Sequence, residues 1–152
     1  MTDAFDEFDH AAHVREAIAL AEEAAERGDG PFGSVLVRDD TIVARASNRV
    51  VTENDLRRHP ELDLAVRAYR EFDADERAET VMYTSTEPCP MCAGGLRYAG
   101  LGRVVYSVGA DEIVDYTGGE PSVRAAEILD GITELVGPVE NEAGRAVHEA
   151  NW

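Results

Sequence analysis

Glu87-Pro88-Cys89-Pro90-Met91-Cys92 is the stretch on which the rest of the chain turns. It holds the only two cysteines of the 152 residues, spaced Cys-x-x-Cys. Such a pair serves as part of a zinc site, as a redox dithiol, or as two unrelated core thiols. Pro88 and Pro90 hold the segment in a turn, which argues against the last reading. Pro90 suits the first position of a helix, where its missing N–H costs nothing. Cys89 is then the N-cap and Cys92 lies on the first turn, where the positive end of the helix dipole favours thiolates. Two sulfurs do not complete a zinc site, so further ligands must come from elsewhere.

His59-Pro60-Glu61 repeats the same design upstream. A ligand-type residue precedes a proline that can open a helix, and the residue before a proline is pushed out of the α region. Two helix starts, one bringing His59 and the other Cys89 and Cys92, can meet around one metal. Three protein ligands with an open fourth position characterise catalytic rather than structural zinc. Glu61, two residues beyond His59, is placed to face a water at that position. A redox dithiol would account for Cys89 and Cys92 but not for His59, Glu61 or the matching helix start. A structural zinc module needs a fourth ligand, and the chain has no third cysteine. His148, the only histidine downstream, is expected on the surface of the terminal helix.

His-x-Glu followed by Pro-Cys-x-x-Cys is similar to the signature of zinc deaminases that act on nucleobases. The chain resembles the branch of the cytidine deaminase-like superfamily that holds guanine deaminases, fungal-type cytosine deaminases and tRNA adenosine deaminases. Pro31-Phe32-Gly33, Asn48, Asp55, His59-Pro60-Glu61, Glu87 to Gly94 and Gly102-Arg103-Val104-Val105 carry the resemblance in order. It runs from about Pro31 to Val108, and both ends match weakly. Pro60 departs from it, since most members carry alanine there.

The resemblance implies a three-layer α/β/α fold with a central mixed five-stranded sheet, in a single domain spanning 1–152. It implies Zn2+ held by His59, Cys89 and Cys92, with Glu61 as the catalytic proton carrier. Zinc would activate a water; Glu61 would take its proton and deliver protons to the ring nitrogen and the departing amine. The products are ammonia and the oxo base. Asn48 would hydrogen-bond the substrate, against its plain reading as a turn asparagine. Phe32 is a further candidate for substrate contact. Asp55 is expected to hold its loop. Tyr116 is expected to cover a bound base or to be an ordinary loop tyrosine. Trp152, the only tryptophan, reads as a packing anchor or as a lid over the pocket. Relatives also imply a homodimer through the helices beside the metal, here a patch around Leu96 and Tyr98.

Acidic residues number 31 against 14 basic ones, for a formal charge of −17, and every basic residue is arginine. That excess repels polyanions at ordinary salt. Between Asp111 and Trp152 ten acidic residues face only Arg124 and Arg145. The expected substrate is therefore a small nucleobase or nucleoside of the cytosine or guanine type. Nucleic acid is disfavoured, and tRNA-specific adenosine deamination is the alternative. The charge and the absence of lysine suggest adaptation to a salty cytoplasm, as in a haloarchaeal-type member. Met1-Thr2-Asp3 carries no signal-peptide pattern, and no apolar run approaches the ~20 residues of a membrane span. A soluble cytoplasmic protein is expected.

Hydrophobic periodicity predicts a helix from about Asp6 to Arg27, with Val14, Ile18, Ala21 and Ala25 inward and His10 and His13 facing solvent. Phe32–Val37 and Thr41–Ala46 read as a hairpin. Helices follow over Pro60–Phe72, with Leu64, Ala65, Ala68 and Tyr69 in the core, and over Pro90–Ala99. Thr80–Ser85 and Val104–Val108 read as strands. Gly94-Gly95 suggests close approach to the sheet or to a second subunit. Gly109–Glu120 reads as a loop, Pro121–Leu129 as a helix, Thr133–Val136 as a strand and Glu140–Ala150 as a terminal helix. Alternating strands and helices imply parallel crossovers with helices packed on the sheet.

Overall fold

The computed structural model describes residues 4–120 and 123–152. Met1-Thr2-Asp3 lie outside the described residues, as do Pro121 and Ser122 from the expected helix start. A 3-10 turn (Ala4–Glu7) precedes helix α1 (His10–Arg27), whose N-cap Asp9 accepts from the Ala12 amide. Gly28 ends α1 in the left-handed conformation at φ 94°, which a residue with a Cβ rarely adopts.

Strands β1 (Gly33–Arg38) and β2 (Thr41–Ser47) form the expected hairpin. Its turn residues Asp39 and Asp40 both have positive φ, 52° and 56°, matching the twist that two-residue hairpin loops require. Helices α2 (Val50–Glu53), α3 (Pro60–Glu71) and α4 (Ala74–Ala78) lead to β3 (Val81–Thr86). Then come α5 (Pro90–Ala99), β4 (Arg103–Val108), α6 (Ala110–Thr117), α7 (Ala125–Leu129), β5 (Glu134–Val136) and α8 (Asn141–Asn151).

The five strands lie in the order β2-β1-β3-β4-β5. β1 is antiparallel to β2 and β3, while β3, β4 and β5 run parallel, so the sheet is mixed. The central strands are buried on both faces, which is why they read as nearly continuous apolar runs. Leu36, Met82 and Val104 pack against Leu64, Ala65, Ala68, Ala93 and Leu96 on one face. Val35, Val81, Tyr83 and Val105 pack on the other against Val14, Ile18 and Ala21 of α1 and Val147 of α8. This is the expected three-layer α/β/α arrangement.

Several expectations are corrected. Gly109–Glu120 is not a loop throughout: α6 occupies Ala110–Thr117, and Glu112 Oε1 accepts from the Gly109 amide at its start. Tyr69 is 62% exposed rather than in the core. His13 does not face solvent; it is buried, with Nε2 2.7 Å from Asp40 Oδ1. His10 Nδ1 lies 2.7 Å from the Tyr83 hydroxyl. Gly95 meets α3 rather than the sheet. A Cβ there would come within 2.6 Å of Leu62 Cδ1, so its value is the close packing of α5 on α3. Leu96 is fully buried and offers nothing to a partner, whereas Tyr98 is 83% exposed. No helix among the described residues is long and apolar enough to cross a membrane.

Candidate metal centre and pocket

Both helix starts form as the prolines suggest. His59 (φ −69°, ψ 133°) and Cys89 (φ −67°, ψ 168°) are extended N-caps, followed by Pro60 and Pro90 in the first turn. Neither side chain makes a capping hydrogen bond within its own helix, so both are free to turn towards each other across the α3–α5 contact. His59 Nδ1 lies 3.7 Å from Cys89 Sγ and 3.5 Å from Cys92 Sγ. All three donor atoms fall within 4.8 Å of one another.

The donor set fits zinc in both chemistry and spacing. Bonds of about 2.3 Å to sulfur and 2.0–2.1 Å to nitrogen at a tetrahedral angle separate S from N by about 3.6 Å. The observed separations bracket that value. The two helix starts also supply amides to the sulfurs: Cys92 N–H serves Cys89, and Leu62 N–H serves Cys92. The Cys92 thiol, and behind it His59, hold Cys89 down at about 4. Proton sharing with Cys89, together with burial, pushes Cys92 up. The hydrogen bond to Cys89 raises His59.

Glu61 is 5% exposed. Burial, reinforced by the Cys89 sulfur, lifts its carboxyl to about 7, opposed by its own backbone amide and by His59. The carboxyl is thus poised to hold a proton near neutral pH and to give it up, which is what acid–base work requires.

Asn48 is buried beside Phe32. Its backbone N–H donates to the Phe32 carbonyl at 3.0 Å, and its Oδ1 accepts from Val50 N at 3.0 Å. Asn48 Nδ2 has no hydrogen-bond partner among the described residues. The loop beyond it is held by Asp29, which sequence reasoning passed over. Asp29 accepts from Val51 N, Thr52 N and Thr52 Oγ1 at 2.9–3.0 Å and from Arg27 Nε at 3.0 Å. Burial pushes this carboxyl up, but the Thr52 and Arg27 hydrogen bonds outweigh it and hold it below its ordinary value. Asp55 holds its own loop by bonding the Arg57 amide and guanidinium.

Glu87 was also missed as a functional group. Its side chain is 1% exposed and accepts two hydrogen bonds from Arg124, at 2.7 and 3.0 Å. It also accepts from Ala110 N and Ala125 N. One carboxylate two residues before Cys89 therefore fastens the starts of α6 and α7.

Phe32, Tyr116 and Trp152 gather around His148, which is 1% exposed and not on the surface as expected. An i,i+4 pair of aromatic rings, His148 and Trp152, was the available signal. No hydrogen bond or ring contact joins Tyr116 or Trp152 directly to His59, Cys89 or Cys92 among the described residues.

Fold and site together define a member of the cytidine deaminase-like superfamily. Residues 8–136 match the MafB19-like deaminase family, and the chain belongs to it. Guanine deaminase of Bacillus subtilis is 37% identical over 99 residues, covering 64% of this chain and 64% of its own length. Probable cytosine deaminase of Schizosaccharomyces pombe is 29% identical over 153 residues, covering 93% of this chain and 91% of its own. The solved guanine deaminase from Nitrosomonas europaea superposes with a TM-score of 0.78 at 19% identity, over 93% of this chain and 83% of that one.

Proposed function

We propose that the protein is a zinc-dependent hydrolytic deaminase that releases ammonia from a small nucleobase or nucleoside of the cytosine or guanine type. The observation that carries this reading is the set of three donors at zinc spacing with the buried Glu61 carboxyl beside it. The names of the guanine and cytosine deaminase relatives support the substrate class. Zinc bound at His59, Cys89 and Cys92 would supply Lewis acidity that lowers the pKa of a water towards neutrality. Glu61 takes a proton from the attacking water and delivers protons to the ring nitrogen and the departing amine. Asn48, through Nδ2, orients the base, and Phe32, Tyr116 and Trp152 enclose it. Ammonia release across a panel of free bases, nucleosides and tRNA tests the reading. Turnover of one free base or nucleoside is expected; turnover of tRNA alone overturns the substrate class.

Elemental analysis is expected to find about one zinc per chain in protein purified without added metal. Cys89→Ala should lose it, and zinc content unchanged by that substitution would overturn the ligand assignment.

We also assign the acid excess to life in a salty cytoplasm, as one domain over 1–152. The melting temperature should rise between low salt and 1 M KCl, where the Debye length falls to ~3 Å and like charges are screened. A flat or falling curve contradicts this. The exposed apolar side chains Val66, Tyr69 and Tyr98 form the face through which the protein is proposed to pair as a homodimer. Light scattering at working salt should give twice the chain mass, and a monomer there ends the idea.

A further inference from the structure

Helix α8 is fastened at both ends by residues outside the metal-binding motifs. At its start, Asn141 Nδ2 donates to the Ser107 carbonyl at 3.0 Å, and Ser107 Oγ donates to the Glu140 carbonyl at 2.8 Å. Gly144 lets the helix lie against β4, since a Cβ there would strike Ser107 Oγ. At its end, Arg145 and Glu149 bond the Tyr116 hydroxyl of α6, and one side chain reaches the sheet. His148 Nε2 lies 2.9 Å from Thr86 Oγ1, and Trp152 Nε1 donates to His148 Nδ1 at 2.9 Å. From residues 145–152, the Thr86 contact is the one side-chain hydrogen bond to the sheet among the described residues.

The partners settle the tautomer. An indole nitrogen can only donate, so Nδ1 is the acceptor and the imidazole proton sits on Nε2, where it donates to Thr86. An imidazolium would carry a proton at Nδ1 as well and could not receive the indole N–H. Burial keeps the ring neutral, pushing its pKa down to about 4. Both ring nitrogens are thus committed to structure and neither is free for proton transfer.

The rings around His148 reach Asn48 through Phe32. Tyr116 stacks on it at 5.8 Å and 27°, Trp152 at 6.3 Å and 17°, and Phe32 lies 5.7 Å away. Phe32 is hydrogen-bonded through its backbone to Asn48. Thr86 ends β3, three residues before Cys89. The terminal helix and the metal-binding turn therefore share one strand end. Trp152 itself is 54% exposed, so burial does not fix its ring and the hydrogen bond matters more.

We propose that His148 is a positioning residue for substrate binding: as the Nε2–H imidazole it ties Trp152 to Thr86 and so sets the aromatic wall of Phe32, Tyr116 and Trp152 beside Asn48. Its effect on turnover rests on the deaminase reading; its effect on Trp152 does not.

The sole tryptophan makes the proposal directly measurable. His148→Phe keeps a ring for stacking and deletes both hydrogen bonds, while His148→Asn retains an acceptor oxygen near the place of Nδ1. Acrylamide quenching of Trp152 fluorescence should increase about twofold or more in His148→Phe and return towards wild type in His148→Asn. With zinc content equal in all variants, KM for the turned-over base should rise about 3- to 10-fold in His148→Phe, the worth of one ordinary hydrogen bond. The value of kcat should stay within about twofold. Trp152→Phe, at a half-exposed place that tolerates change, should raise KM similarly. The double variant should be no worse than either single one, as expected of two residues acting through one contact. Unchanged quenching in His148→Phe, or additive effects on KM, overturns the proposal. If no base or nucleoside is turned over, the deaminase reading fails, while the quenching series still decides whether His148 positions Trp152.

Discussion

Glu61→Gln is expected to keep the fold and the zinc and to lose ammonia release by ~10²-fold or more. Glutamine matches glutamate in size, and the site is 5% exposed, so no cavity opens and no charge is left unpaired. Glutamine cannot take a proton from water and return it to the ring nitrogen and the amine. The neighbouring Cys89 sulfur and the surrounding burial already favour the protonated, neutral carboxyl, so neutralising it should not destabilise the protein. Zinc content, melting temperature and ammonia release on the same sample separate the roles. A variant that loses its zinc would make Glu61 a ligand, and one that keeps full activity would move the proton carrier elsewhere.

The two helix starts were legible because each is a local device. A proline can open a helix and forces the residue before it into extended geometry, so His59 and Cys89 could be placed as N-caps from their neighbours alone. The central strands were equally legible, since burial on both faces leaves unbroken apolar runs. Asp29, Glu87 and His148 were not, because each is anchored by a partner far along the chain. Asp29 reaches Thr52, Glu87 reaches Arg124, and His148 reaches Thr86 across 62 positions. Composition marks such residues as polar, and polar residues usually face solvent; only the folded chain shows them inside. Helix α6 was hidden differently. Gly109 and Gly118-Gly119 bracket a short acidic segment that reads as a loop, yet Glu112 caps its start and Gly118 ends it at φ 76°. Tyr69 was misplaced because helical spacing puts it near the inward stripe of α3, whereas its ring lies out over Arg77.

Glu87 carries the second large effect, this time on stability. Its buried carboxylate satisfies two backbone amides and the Arg124 guanidinium at once. Glu87→Ala should cost about 3 kcal/mol, the lower end of the range for breaking a buried pair, because Arg124 is 37% exposed and can turn to water. The orphaned amides of Ala110 and Ala125 make up the rest of the loss. Glu87→Gln keeps an acceptor for some of these donors and should cost less, about 1.5–3 kcal/mol. The pH dependence follows from the direction of the shift. Burial pushes the Glu87 carboxyl up, but Arg124 and the two amides outweigh it and hold it below its ordinary 4.5. A carboxylate with a depressed folded pKa contributes fully above the unfolded value and loses that contribution as pH falls through the folded one. The stability gap between the wild type and Glu87→Gln should therefore be widest at neutral pH and close in acid. Urea unfolding midpoints at a series of pH values measure it. A gap that is constant across the series would mean that the charge on Glu87 is not what holds α6 and α7 to the strand ends.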